Sequence, residues 1–209
     1  MRMSSRIAIL LAAALAVALH TAGAQEPAGL EKRLLELGRE VSPGFDPAPW
    51  PAEIDKLYDE LKAKLAAGDP PAEALEKIHR WLLKEKRWEV DPDPLGASWD
   101  RLLLSGVLRD GRGCQGSVTI LGYLLATRAG IPVRLYALPD KLVLWAQTGD
   151  RARFWDPSRE PAFLTSQELL KEIPTPEGVR ETDLLTAVDP TQLPGYLRSR
   201  IGERMLRDG

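Results

Sequence analysis

Hydrophobic residues recur every three to four positions through most of the chain up to residue 128, which predicts a series of amphipathic helices. Prolines and glycines interrupt this pattern where helices would begin and end. The clearest run starts at Cys114, after which Val118, Leu121 and Leu125 share one helical face and Gly130 follows as a left-handed cap. Helices are predicted over residues 30–40, 51–68, 72–86, 99–108 and 114–128.

Beyond residue 130 the pattern changes to short runs rich in β-branched and aromatic residues, which predict strands. Strands are predicted over residues 133–137, 141–147 and 151–155. Two more helical pieces are predicted at residues 166–172 and 195–207. Helices followed by strands indicate an α+β fold rather than alternating β-α-β units. An all-helical interaction protein is the alternative, and it requires residues 133–155 to be helical.

The first 24 residues have the pattern of a secretory signal peptide. Arg2 and Arg6 precede an apolar run over residues 7–19, and Ala22-Gly23-Ala24 supplies the small residues that a signal peptidase recognises. The 13-residue run is shorter than the roughly 20 residues that span a bilayer. We therefore expect cleavage near Ala24, no retained membrane span, and a secreted or periplasmic product.

Composition excludes several classes of function. The chain has 209 residues with 28 Lys and Arg against 30 Asp and Glu, so its charge gives no reason to expect a nucleic-acid partner. Cys114 is the single cysteine, and His20 and His79 are the two histidines. A zinc site built from Cys and His is therefore not available, and the sequence predicts no metal and no cofactor.

Cys114 is the strongest candidate for chemistry. It follows Gly111-Arg112-Gly113 and opens a predicted core helix, where unpaired backbone N–H groups and the helix dipole favour a thiolate. The same amides are suited to hold an oxyanion. The alternative is a structural role, because a lone cysteine on an apolar helical face is often a small buried hydrophobic residue.

Five segments carry a resemblance to a known family, at residues 106–114, 121–129, 130–133, 138–139 and 154–157. Together they resemble the bacterial transglutaminase-like superfamily, most closely its SirB-type branch. The resemblance implies a papain-like α+β core in which a cysteine opens the central helix and a histidine and an aspartate lie on neighbouring antiparallel strands. It covers residues 53–160, preceded by the signal peptide (1–24) and an N-terminal helix and linker (25–52) and followed by a wrapping segment (161–209).

Carried over by position, the resemblance assigns the nucleophile to Cys114 and the orienting acid to Asp156. The histidine position, about fifteen residues before the aspartate and soon after a proline, holds Lys141. Strand alternation places Lys141 on one face with Val143 and Trp145, with the core-like residues on the other face. Two of the three expected side chains are present, and the one that moves protons is replaced.

Lysine is a poor substitute for that histidine. An ordinary lysine has a pKa near 10.4, and a general base working near pH 7.5 would require a shift of about three units, or about 4 kcal/mol. A protonated Lys141 is able to stabilise a Cys114 thiolate but not to accept its proton. His79 is the alternative base in the mature chain, although its place at the border of an apolar helical face is typical of a structural histidine.

These observations favour an exported transglutaminase-like domain with an incomplete triad that works as a binding or scaffold module. Its expected partner is a peptide or an envelope protein laid in the former active-site groove. The second hypothesis is a cysteine-dependent amidase, peptidase or acyltransferase in which Cys114 uses Lys141 or another group instead of histidine as base.

Overall fold

A computed structural model describes residues 27–208 except 43, 94, 96, 97, 150 and 174–184. The predicted signal peptide lies outside the described residues. The helices are α1 (Pro27–Val41), α2 (Trp50–Lys62), α3 (Pro71–His79), α4 (Leu104–Asp110), α5 (Gln115–Arg128), α6 (Ser166–Leu170) and α7 (Leu193–Asp208). The strands are β1 (Glu89–Asp91), β2 (Arg112–Cys114), β3 (Val133–Ala137), β4 (Leu142–Thr148), β5 (Arg151–Trp155), β6 (Phe163–Leu164) and β7 (Thr186–Ala187).

Strands β3 to β7 form one antiparallel sheet in the order β6-β5-β4-β3-β7. Its register places Leu144 opposite both Leu135 and Trp155. The short strands β1 and β2 form a separate parallel pair. Mixed helices and small sheets confirm the predicted α+β class, and the all-helical alternative is wrong because residues 133–155 form strands.

Helix α5 is the centre of the domain. It packs against α3, α4, β3 and β4, so most of its residues are buried on every side. The prediction of one apolar face was too narrow, because the helix has core neighbours around its whole circumference. Its C-terminal end matches the prediction: Gly130 has φ 72°, and the N–H groups of Gly130 and Ile131 donate to Thr127 and Ala126.

The sheet also buries both of its faces. Leu142, Leu144 and Ala146 contact the main core under α3 and α5. Val143 and Trp145 pack instead into a second apolar cluster with Phe154 and residues around α6. The face expected to line a site next to Lys141 is therefore occupied by this second cluster over most of β4.

Two other sequence predictions differ from the structure. The single helix predicted over residues 99–108 is a 3₁₀ turn at Trp99–Leu102 followed by α4, which continues to Asp110 and ends at Gly111 with φ 62°. The helix predicted over 72–86 is α3 followed by a π-helical turn over Arg80–Glu85. No helix in the part of the chain that the structure describes combines the length and apolar character required to cross a membrane.

The contact between α5 and β5 leaves no space at Gly122. A Cβ at this position would lie 2.2 Å from Cζ3 of the buried Trp155 ring, so Gly122→Ala forces the helix and the sheet apart. We expect the free energy of unfolding to fall by about 1–3 kcal/mol in urea denaturation. Gly116→Ala in the same helix is the control, because its Cβ would meet only Cys114 Sγ at 3.9 Å. Equal stability of both variants would contradict this packing.

Candidate functional site

Cys114 lies at the junction of β2 and α5. It is the last residue of β2, where it pairs with Asp91, and the N-cap residue of α5. Gly113 allows β2 to lie close to α4 and α5, because a Cβ there would lie 2.4 Å from Val107 Cγ2 and 2.5 Å from Ser117 Oγ. Packing of β2 against α4 and α5 thus fixes the cysteine at the N-terminal end of the central helix.

The thiol is buried, with 1% of Cys114 exposed. Its Sγ lies 3.5 Å from Ser117 Oγ, and the backbone N–H groups of Gly116 and Ser117 also interact with it. These groups and the Arg200 guanidinium favour the thiolate, but the loss of hydration outweighs them and raises the pKa of the Cys114 thiol. The expectation that the helix N-terminus makes the thiolate easy to form is therefore wrong in this closed structure.

Helix α7 covers Cys114. Tyr196, Leu197 and Arg200 project from α7 towards a small cavity beside the thiol. The cavity volume is about 10 Å³, which is space for about one water molecule. Burial in this contact raises the pKa of Tyr196 to about 12. The remaining lining residues are Leu102, Cys114, Gln115, Gly116, Asp140 and Lys141.

Apolar and ionic contacts both hold α7 in this position. Leu193, Leu197 and Ile201 are buried in the main core at successive turns of the helix. Arg207 Nη2 lies 2.6 Å from an oxygen of Asp93, in the loop that follows β1. The Arg200 guanidinium donates to the Asp140 carbonyl oxygen at 3.3 Å, next to Lys141. Helix α7 is thus an integral part of the folded domain.

Lys141, which lines this cavity, forms an ion pair with Asp156. Lys141 Nζ lies 2.9 Å from Asp156 Oδ2 and 3.4 Å from Glu172 Oε2. Asp156 is fully buried, and its Oδ1 accepts hydrogen bonds from the N–H of Ser158 at 3.0 Å and from the Ser158 hydroxyl at 2.6 Å. The structure therefore brings Cys114 and Lys141 to one cavity and ties Lys141 to Asp156.

Gln115 connects these groups, and the sequence predictions missed it. Its Nε2 donates to Asp156 Oδ1 at 3.3 Å and to the Leu142 carbonyl oxygen, while its Oε1 accepts from the Leu142 N–H at 3.3 Å. The side chain thereby fixes the start of β4, directly after Lys141, against the start of α5. Its position next to Cys114 in a helix of apolar residues was the available signal, because a buried amide requires partners.

Comparison with known proteins gives one family. The sequence model of the transglutaminase-like superfamily matches residues 48–206, which include most of the chain and most of α7. The chain belongs to the transglutaminase-like superfamily. Neither a curated protein sequence nor a solved structure matches it significantly.

In this transglutaminase-like domain, His79 lies away from the Cys114 cavity. Its Nδ1 accepts a hydrogen bond of 3.0 Å from Trp155 Nε1, and the imidazole makes edge contacts with the rings of Trp155 and Phe163. Burial lowers its pKa from the ordinary 6.5. His79 therefore packs α3 on the sheet. Among the described residues, no three His, Cys, Asp or Glu side chains are grouped as a metal ion requires.

Burial of His79 makes the stability of the domain depend on pH. The folded chain binds a proton at His79 less readily than the unfolded chain, so the free energy of unfolding falls as the pH drops below about 6.5 and levels off below the lowered folded pKa. His79→Asn keeps an acceptor for the indole N–H but does not titrate. We expect urea unfolding of this variant to lose less stability between pH 7 and 5 than the wild type does. Identical slopes would contradict a buried neutral imidazole.

Proposed function

We propose that this chain is an exported, non-catalytic binding or scaffold module of the transglutaminase-like superfamily, closest to its SirB-type branch. The observation that carries the proposal is the ion pair between Lys141 and Asp156 beside the buried thiol of Cys114. The side chain at the position that the resemblance assigns to histidine is engaged in this ion pair, and the cavity beside the Cys114 thiol has a volume of only about 10 Å³.

A Lys141 base would have to lose its proton while it contacts two carboxylates. Deprotonation would remove the positive charge that pairs with Asp156 and lies 3.4 Å from Glu172. A catalytic base must also reach the thiol proton, yet Cys114 Sγ has Ser117 Oγ as its side-chain hydrogen-bond partner. This arrangement supports an ion pair that holds β4 and β5 together rather than one that transfers protons.

Substrate access gives independent support. A cysteine-dependent acyl transfer needs room for a carbonyl group and its leaving group at the sulfur. The cavity beside Cys114 has a volume of about 10 Å³ and is closed by α7. This cavity is too small for the peptide or envelope protein that was expected from the sequence to lie in the former active-site groove, so the proposed module binds its partner on another surface. The signal-peptide pattern of residues 1–24 supports the proposed export to a secreted or periplasmic location.

The second candidate is a cysteine-dependent amidase, peptidase or acyltransferase. The observation in its favour is that Cys114 and Lys141 line the same cavity while two backbone N–H groups interact with the sulfur. In that case α7 would have to move away before any substrate entered.

An assay of turnover separates the two candidates. Purified wild type and Cys114→Ala are incubated with a glutamine-containing peptide and hydroxylamine between about pH 6 and 9. Hydroxamate, ammonia and cleaved peptide are then measured. The proposal expects no difference between wild type and Cys114→Ala. Product formation that disappears in Cys114→Ala but persists in His79→Asn would overturn it in favour of the enzyme.

A further inference from the structure

An open groove lies away from Cys114, between the segment that leads into β1 and the end of α4. It has a volume of about 390 Å³, within the size range of ligand pockets. We propose that this groove, here called the basic groove, binds an acidic segment of a protein partner. The inference rests on the proposed binding function and gives that function a surface and a class of partner.

Four cationic side chains line the basic groove, and they come from two parts of the chain. Lys86 and Arg87 follow the π-helical turn, whereas Arg109 and Arg112 flank Gly111 at the end of α4 and the start of β2. Guanidinium groups bind carboxylates through paired N–H donors, so three arginines in one groove favour a carboxylate-bearing ligand.

The cations differ in how strongly they are already engaged. Arg109 pairs with Asp100 and Asp110, and Lys86 pairs with Glu60. Arg112 pairs with Glu89, but their side chains are 52% and 60% exposed, so water screens this contact and an incoming carboxylate is able to compete for the guanidinium. Arg87 is exposed and has no salt bridge within the described residues.

Arg87 also adopts a backbone conformation that a side chain normally avoids. Its φ is 58°, in the left-handed region, directly after the π-helical turn. Glycine fits this conformation without strain, so an arginine at this position lowers the stability of the domain relative to glycine. This cost suggests that the side chain itself has a role. The turn places Trp88 against Gly111, where a Cβ would lie 3.3 Å from Trp88 Cδ1. The indole thereby forms an apolar wall beside the guanidinium groups.

The carboxylates inside the basic groove select the kind of anion. Glu89 and Asp110 are interspersed among the cations, and both would repel a ligand with continuous negative charge. A peptide with separated Asp or Glu side chains avoids these two positions and still reaches the arginines. The pattern favours an acidic peptide over a polyphosphate or a sulfated glycan.

The test measures binding of a fluorescein-labelled hexapeptide of alternating Asp and Ala, with the matching Asn and Ala peptide as the neutral probe. Wild type is expected to bind the acidic probe, with an affinity that falls as salt is added. Arg87→Gln should weaken binding about tenfold or more, since it removes a charged hydrogen-bond donor. Arg39→Gln, at an exposed site in the last turn of α1, is the charge-matched control and should change affinity by less than about twofold.

Three results would overturn the basic groove: equal binding of the acidic and neutral probes, equal losses in Arg87→Gln and Arg39→Gln, or tighter competition by inorganic polyphosphate than by the unlabelled acidic peptide. Arg87→Gly gives a second readout. It relieves the backbone strain, so it should be at least as stable as wild type in urea and yet bind the acidic probe as weakly as Arg87→Gln. Unchanged binding in this variant would also overturn the proposal.

The groove and the proposed function fail separately. If the acidic peptide does not bind and no turnover depends on Cys114, the proposal for the basic groove is wrong, but the proposal of a non-catalytic module still stands. Turnover that depends on Cys114 contradicts the proposal of a non-catalytic module, whatever the peptide-binding measurements show.

Discussion

Asp156→Ala is expected to lower the free energy of unfolding by about 3–5 kcal/mol, measured by urea denaturation at neutral pH. The variant leaves the Lys141 ammonium, which is largely buried, without its closest carboxylate. It also removes the acceptor for Ser158 and one acceptor for the Gln115 amide. Breaking a buried pair from one side costs more than the pair contributes, because an uncompensated charge stays behind.

Lys141→Met is the matched partner variant. It removes the ammonium but keeps an unbranched side chain, and Asp156 retains its hydrogen bonds from Ser158 and Gln115. We expect the double variant to be more stable than the sum of the two single losses implies, by about 1 kcal/mol or more. The importance of this ion pair for stability would be contradicted if Asp156→Ala lowered the free energy of unfolding by less than about 1 kcal/mol. Strict additivity of the two single losses in the double variant would contradict it as well.

Leu197→Ala is expected to be nearly as costly, because it leaves a cavity where α7 contacts the main core. Leu197 is 2% exposed and lines the space beside Cys114. We expect a loss of about 2–5 kcal/mol in the free energy of unfolding together with faster alkylation of Cys114 than in the wild type. Both quantities are measured on the same preparation, by urea denaturation and by mass spectrometry.

Met205→Ala is the control for this helix. Met205 is 64% exposed, so its removal should change stability by less than about 0.5 kcal/mol and leave the alkylation rate of Cys114 unchanged. If Leu197→Ala loses stability without faster alkylation, α7 is a structural helix that does not control access to the thiol.

The sequence predicted those helices and strands whose own residues carry a clear hydrophobic pattern. The bounds of β3 and β5 match the prediction, and α5 and its glycine cap follow from the spacing of leucines and the position of Gly130. The pair β1 and β2 could not be predicted in this way. Its strands are three residues long, contain charged residues and glycine, and are defined only by pairing with each other.

The same distinction applies to the site. The resemblance to the superfamily singled out Cys114, Lys141 and Asp156, which the structure places around one cavity and one ion pair. The sequence indicated that residues 161–209 wrap the domain, but it could not predict that α7 covers Cys114, because Tyr196 and Arg200 are far from Cys114 in the sequence. The helix N-terminus suggested an activated thiol, whereas burial of Cys114 raises its pKa.

Alkylation of Cys114 by iodoacetamide, followed by mass spectrometry from about pH 6 to 10, tests most directly whether this cysteine is a closed, non-catalytic thiol. We predict that the native chain reacts at least about a hundredfold more slowly than the chain unfolded in guanidinium, and that its rate rises only above the pH at which the unfolded thiol ionises. Native labelling as fast as that of the unfolded chain, with a midpoint at lower pH, would contradict it.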